Sequence, residues 1–575
     1  MSVVGNTESA ADAGRSIIRA YDEMEVPTRL YVLGILFPSF LFFVGTIVAA
    51  VVLDVFFLVR VLIPVFGVLI LASAIGYPRL AVDRRRVEME NRFHLFVTHM
   101  TILSTTNIDR MEVLRQLARE EEYGELANEV QRVVDLVDVW HMSLDDACRR
   151  RAESVPSESV ADLFERMAYT LGAGQDLDEF LVQEHDVLVD EYATVYKQSL
   201  TNLDVLKDLY LSLIISMTFG LVFAIVLPLL TGNDPTLTVS LVIVLFICVQ
   251  MGFLFVIRAI VPDDPIWFLE EGYRTTTKKL LLGSTVVGLG LSLLFIVVMT
   301  LIFFKLVPGA RQVPIRSIPL LLYMPIATTP LLIPGFVFWH QERQVFDRDR
   351  QFPNFIRALG TSESAKQSTT SEVLATLRDK NFGALTENVD DLYRRLNMRV
   401  STEKSWRYFT GDAGSFLIQK FSEMYLIGRE MGGGPKKLGE LISQNMNEMI
   451  NLREERKQQT TTLIGVVYGI TAASAFAFFI GLELAVLLSS FDIDMGGEIA
   501  GGSLIYTDQY DVLMLRYLLI LVLIFNAFIS SMVIRVSDGG HFGNSYIHFT
   551  ALLWLGAVTG AVTNRLVDML ISVDL

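Results

Sequence analysis

The sequence predicts an all-α polytopic membrane protein that is internally duplicated in parallel. Three observations carry this reading. Nine apolar runs are long enough to cross a bilayer, since a helix needs about 20 apolar residues to span a hydrocarbon core about 30 Å thick. Two long polar segments between them show helical periodicity rather than strand alternation. The order of runs and polar segments restarts near residue 260.

The apolar runs cover 30–53, 55–77, 209–231, 237–260, 280–304, 318–340, 462–490, 512–535 and 546–572. The first 29 residues are polar and read as a cytoplasmic N-terminal segment. The first run is too long and too late for a cleavable signal, so it reads as a retained anchor. The expected organisation is 30–77, helices 1 and 2; 78–207, a first cytoplasmic helical domain; 208–340, helices 3 to 6; 341–461, a second such domain; 462–575, helices 7 to 9.

Lys and Arg near the run ends set the orientation. Arg79, Arg84, Arg85 and Arg86 follow the second run, and Arg258, Arg274, Lys278 and Lys279 flank the loop between the fourth and fifth. Arg343, Arg348 and Arg350 follow the sixth. With alternating helices, these share one side, the cytoplasm. Lys305, Arg311 and Arg316 fall outside and argue the other way, but later loops weigh less. The N-terminus is expected inside and the C-terminus outside.

Composition excludes several functions. The net charge of −16 speaks against nucleic acid or anionic lipid as the principal target. It fits a high-salt cytoplasm or a plain acidic surface. The two cysteines and seven histidines form no zinc spacing, and no H-E-x-x-H or phosphate-loop pattern occurs. The sequence therefore predicts no catalytic residues, no metal and no cofactor.

Each polar segment carries an apolar stripe at steps of three and four. Leu181, Leu188, Tyr192 and Val195, with His185, form the first; Leu438, Ile442, Met446 and Met449 form the second. Both stripes lead toward an apolar run, which predicts a continuous helix from each soluble bundle into the membrane. Local matches support the duplication. Phe93-x-x-Phe96 parallels Phe352-x-x-Phe355. Gly172-Ala173-Gly174, followed by Leu177, parallels Gly433-Gly434-Pro435, followed by Leu438. These glycines are expected to end a helix at positive φ before the next stripe begins.

With those motifs in that duplicated order, the chain resembles the type II secretion system F-domain superfamily. Nine helices, two F domains and acidic composition are most similar to the platforms that assemble the archaeal motility filament, the archaellum. The resemblance implies a non-enzymatic platform, working as a homodimer. It would dock a hexameric secretion ATPase and other motor-complex proteins, sit in membrane lipid, and help add archaellin or pilin subunits. A platform of an adhesion pilus or type II-like system is the alternative within the superfamily. A secondary transporter is the alternative of another class, although transporters often use inverted rather than parallel repeats. A prepilin peptidase would need a G-x-G-D motif, which is absent.

The two soluble segments have diverged in charge. Segment 78–207 has a net charge of −11 and segment 341–461 a net charge of +2, so they face different partners. The expected ATPase-docking residues are Arg394, Arg395, Arg399, Lys436, Lys437, Arg453, Arg456 and Lys457. Arg149, Arg150 and Arg151 in the acidic segment are a second docking candidate, with pairing to the surrounding acids as the favoured reading. Within the apolar runs, Glu483 and Arg516 are expected to pair, as are Arg565 and Asp568, while Arg60 is a further intramembrane charge. Pro319, Pro325, Pro330 and Pro334 predict a broken sixth helix that could act as a hinge. In the loop at 261–273, Trp267 and Phe268 read as an interfacial anchor.

Overall fold

A computed structural model of the chain describes residues 31–52, 57–106, 108–231, 234–262, 264–268, 276–303, 319–366, 370–490 and 511–573. Helices dominate, and the sole β feature among the described residues is one isolated bridge, Trp267 to Ser415. In chain order the α-helices are α1 Phe37–Val52, α2 Phe57–Ser104, α3 Arg110–Arg119, α4 Glu125–Asp138, α5 Leu144–Ala152, α6 Glu158–Gly172, α7 Leu177–Thr231, α8 Pro235–Ile260 and α9 Thr276–Phe303. They continue as α10 Tyr323–Thr328, α11 Leu332–Lys366, α12 Thr370–Leu377, α13 Thr386–Asn397, α14 Thr402–Ala413, α15 Phe416–Glu430, α16 Pro435–Ser490, α17 Val512–Asp538 and α18 Ser545–Val573. The chain divides into two compact units, Met1–Tyr192 and Ala193–Leu575.

Seven helices among the described residues are long and apolar enough to span a membrane, rather than the nine expected. They are α7, α8, α9, the α10–α11 segment, α16, α17 and α18. Over the first expected span the described residues 31–52 are helical. The second falls within α2, which continues as one helix into the soluble bundle. Lys305, Arg311 and Arg316, and the side chains of Arg60 and Asp568 lie outside the described residues.

In the first unit, α3 to α6 pack with the ends of α2 and α7. Asp109 caps α3, its carboxylate accepting from Met111 N at 3.1 Å, which satisfies a donor the first helical turn leaves open. Phe93, Phe96, Leu117, Val130, Cys148, Leu163, Phe164, Leu181 and Leu188 are buried. Each fully buried side chain of this size contributes about 1.5–3 kcal/mol. His185 is buried in the same stripe, within 3.1 Å of Thr98 Oγ1. Burial pushes the Cys148 thiol up, to about 12. Arg151 pairs with buried Glu129 at 2.5 Å, and Arg149 with Asp146 at 3.4 Å.

In the second unit, the soluble bundle comprises the latter part of α11, α12 to α15, and the start of α16. Its core is aromatic. Phe352, Phe355, Trp406, Phe409, Phe421 and Tyr425 are buried, with Trp406 edge-on to Phe409 at 5.4 Å. The membrane part packs α7, α8, α16, α17 and α18 around Ile225, Ile243, Phe478, Leu482, Leu519 and Val522. Polar pairs fix the helices where backbone hydrogen bonds cannot. Gln250 Nε2 donates to Asn526 Oδ1 at 2.8 Å, and Arg516 reaches Glu483 at 3.1 Å, as expected. The proline-rich segment is broken as anticipated: 3₁₀ turns at Leu320–Leu322 and Thr329–Leu331 bracket α10 before α11 begins.

The duplication is visible in backbone geometry. Gly124 and Gly383 have φ of 54° and 55°, His141 and Arg399 have 54° and 61°, and Gly174 and Gly432 have 87° and 88°. Each pair is separated by 258 or 259 residues and falls at the same turn of its bundle. The positive φ expected at the glycine turn thus lies on Gly174 and Gly432. Both anticipated continuous helices form, as α7 and α16.

Helices α11 and α16 cross closely at Gly360 and Gly439. A Cβ at Gly439 would lie 2.8 Å from Ile356 O. Gly439→Val is therefore expected to cost about 1–3 kcal/mol by overpacking. A Cβ at Gly465 on the same helix meets nothing within 4 Å, so Gly465→Ala is expected to be neutral or slightly stabilising. Thermal unfolding of the two purified variants in detergent measures this contrast.

Candidate functional site

The stripe of α16 continues past Met449 at the same spacing, onto Arg453, Arg456, Thr460, Leu463 and Val467. All of these are buried. Two guanidinium groups therefore point into the protein where the soluble bundle meets the membrane helices. A buried charge without partners costs several kcal/mol, and the surrounding segments supply those partners.

Arg453 grips Asp264 with two hydrogen bonds, Nε to Oδ2 at 2.8 Å and Nη2 to Oδ1 at 2.6 Å. Its Nη1 donates to Asp349 Oδ2 of α11 at 2.9 Å, and Nη2 also reaches Pro265 O at 3.1 Å. The forked geometry uses the planar donor set that distinguishes Arg from Lys. Asp349 accepts a second hydrogen bond from Ser415 Oγ. Ser415 in turn caps α15, accepting from Ile418 N at 3.2 Å. The segment 262–268, between α8 and α9, is thereby held against the soluble bundle. Two backbone hydrogen bonds complete the contact, Phe268 N to Gly414 O at 3.0 Å and Phe416 N to Ile266 O at 3.1 Å.

Arg456 closes the end of α17. Its Nε donates to Ser537 O at 2.8 Å and Nη2 to Val536 O at 3.1 Å. A cation on these open carbonyls is favoured by the helix dipole. Nη1 reaches Pro262 O at 3.1 Å and Tyr196 OH at 3.5 Å. Gly539 makes the approach possible: its φ is +75°, and a Cβ there would lie 2.7 Å from Arg456 Cζ. Glu342 of α11 fixes the following loop, accepting from His541 N at 2.9 Å and Trp267 Nε1 at 3.4 Å. The His541 ring stacks on Phe338 at 4.5 Å, with Trp267 edge-on at 5.6 Å. Burial and the neighbouring Arg535 cation hold His541 below the usual histidine range.

The junction thus joins α16 to α11, to the α14–α15 turn, to segment 262–268 and to the end of α17. It holds no group arranged for catalysis. Among the described residues no cluster of three or more His, Cys, Asp or Glu could hold a metal. Its chemistry is mechanical: α16 cannot turn by one residue, about 100°, without breaking every one of these hydrogen bonds.

The eight expected docking residues separate accordingly. Arg453 and Arg456 are a correction. They lie on the buried stripe and hold the chain's own segments, so they present no cation at the surface. Arg394 and Arg395 are already paired, with Asp390 at 2.6 Å and with Asp412 at 2.6 Å. Arg399, Lys436, Lys437 and Lys457 are exposed, Lys457 lying over the Phe346 ring at 4.8 Å. Trp267, expected as an interfacial anchor, is half-buried and packs on Glu342 and His541. Asp264, Asp349, Ser415, Glu342 and His541 were not anticipated as site residues. The continuing three-and-four spacing through Arg453 and Arg456 was the available signal.

The junction has no counterpart in the first copy. Val195 and Gln198 stand 258 residues before Arg453 and Arg456. These features define a class of protein, an all-α multi-pass membrane protein with two helical bundles. A family model described as type II secretion system protein F matches residues 96–228. Flagella accessory protein J of Methanocaldococcus jannaschii is 33% identical over 550 residues, covering 95% of this chain and 96% of that protein. Flagella accessory protein J of Methanococcus voltae is 33% identical over 515 residues, covering 89% and 91%. The chain belongs to the flagella accessory protein J family, whose members are non-catalytic membrane components. No solved structure matches the chain.

Arg453→Ala is expected to cost about 3–5 kcal/mol, because it strands two buried carboxylates. The triple change Arg453→Leu, Asp264→Leu and Asp349→Leu is expected to cost clearly less, because it strands none. Unfolding in detergent separates the two outcomes. A pH scan tests His541. Its folded value lies below its unfolded one, so the unfolded chain binds the proton first as pH falls. Stability is therefore expected to decline as pH drops below about 6.5, the ordinary histidine value. His541→Phe is expected to lessen that slope.

Proposed function

We propose that the chain is the membrane platform of an archaeal machine of the type IV pilus kind, serving archaellum assembly. The observation that carries this reading is α16. It runs unbroken from a soluble bundle through a membrane span, with a buried arginine junction fixing it to neighbouring segments at the crossing point. Such an element carries force along its axis. The relatives named flagella accessory protein J supply the filament context.

In this proposal both soluble bundles face the cytoplasm, because Lys and Arg cluster at those ends of the apolar runs. A hexameric secretion ATPase docks on the second bundle through the exposed cations Lys436, Lys437 and Lys457. Its motion passes along α16 and through the junction to segment 262–268 and α17. The broken α10–α11 segment, with Pro325 and Pro330, gives that movement a place to bend. Archaellin or related subunits are added on the membrane side.

Lys436→Glu with Lys437→Glu is the direct test. Pull-down of the cognate ATPase by the full-length variant in low salt is expected to fall at least tenfold, and the strain carrying it to stop swimming. Undiminished ATPase binding removes this docking face. Normal swimming with lost surface adhesion in a deletion strain would assign the platform to an adhesion pilus instead.

A further inference from the structure

Two non-glycine residues among the described residues have left-handed backbone, His141 and Arg399. Such a conformation costs a residue with a Cβ roughly 1–2 kcal/mol. Each follows the most exposed apolar residue of its turn. Trp140 is 73% exposed beside Val139 at 68%, and Met398 is 68% exposed. The turns are equivalent, joining α4 to α5 in the first bundle and α13 to α14 in the second. The flanking positions agree. Ser143 and Ser401 precede the following helix, and Cys148 and Trp406, five residues later, are both buried. One shape has therefore been kept in both copies, with an apolar tip that makes no use of its own bundle's core.

The charge around that tip has not been kept. Residues 136–149 hold Asp138, Asp145 and Asp146 against Arg149, a net of −2. Residues 394–407 hold Arg394, Arg395, Arg399, Lys404 and Arg407 against Glu403, a net of +4. Internal pairs temper both sides: Arg115 holds Asp138 at 2.9 Å, Arg149 meets Asp146 at 3.4 Å, and Arg394 and Arg395 meet Asp390 and Asp412. Arg399 and Lys404 are exposed at the basic turn, and Asp146, beside Arg149, is exposed at the acidic one.

We propose that the Trp140 turn of one copy docks against the Met398–Arg399 turn of a second copy of this chain. The two tips are apolar and the surrounding charges are opposite, so unlike turns attract. Like turns would bring aspartate to aspartate or arginine to arginine, which is disfavoured. In a two-fold pair, each copy offers one acidic and one basic turn, so the contact forms twice. Two turns bury well below the roughly 1,200 Å² of a stable interface. A contact of that size sets which bundle faces which and does not by itself hold the pair. It is independent of the ATPase face, which lies on α16.

The test uses the full-length protein in native-lipid membranes, with two differently tagged copies in a Cys248→Ser background. Cys148 stays, because it is buried and its thiol is pushed up to about 12. One copy carries Trp140→Cys and the other Met398→Cys, and mild oxidation follows. A disulfide joining the two tags is expected, at a yield at least fivefold above either like pair, Trp140→Cys with itself or Met398→Cys with itself. Lys404→Glu is expected to lower that yield severalfold while ATPase binding persists. Failure to join the tags, equal yields from like pairs, or a disulfide confined to one chain overturns the proposal. Both substituted side chains are exposed, and unchanged unfolding temperatures confirm that each variant folds.

Discussion

Everything in the second unit depends on Arg453 having somewhere to put its charge. The side chain is 4% exposed and its partners Asp349 and Asp264 are 2% and 10% exposed. None of the three could be buried without the other two. Their mutual requirement brings together segments that are far apart in sequence: Asp264 before α9, Asp349 on α11 and Arg453 on α16. Ser415 extends the set by tying Asp349 to the start of α15. Arg456, one turn further along α16, does the same for α17 through main-chain carbonyls. The soluble bundle and the membrane helices of this unit are consequently one mechanical body at that level.

This arrangement also accounts for where the duplication stops being symmetric. Helix order, the glycine turns and the aromatic openings of both bundles are shared, because packing and backbone geometry demand them. Val195 and Gln198 take the places of the two arginines in the first copy. A copy without that junction is free to use its surface charge differently, and its net charge of −11 against +2 reflects this. A duplicated fold thus supplies two supports of one shape, of which the second carries the arginine anchor.

Much of this was legible in the sequence. The apolar runs gave the class of protein, and the three-and-four spacing of Leu438, Ile442, Met446 and Met449 gave the buried face of α16. Gly174 was recognisable as a turn residue, and the opposing glycine turn was displaced by one position to Gly432. Phe93, Phe96, Phe352 and Phe355 proved to be core residues. The site was less legible. Arg453 and Arg456 look like surface cations when charge is counted without regard to helical phase, whereas the phase of the stripe places them inside. The contacts of Trp267 were not legible either. Its partners Glu342 and His541 lie 75 and 274 residues away, and no local pattern reports contacts of that span.

The central claim is that segment 262–268 and α16 move as one body. It is tested most directly by spin labels at Pro265→Cys and Asn451→Cys, two exposed positions flanking the junction, in the Cys248→Ser protein reconstituted in lipid. Pulsed electron–electron distances would be recorded with the ATPase present, with and without nucleotide. The account predicts a single narrow distance that nucleotide does not change, and a broadened one in the Arg453→Gln variant. A distance that shifts with nucleotide in the protein with Arg453 intact would contradict it.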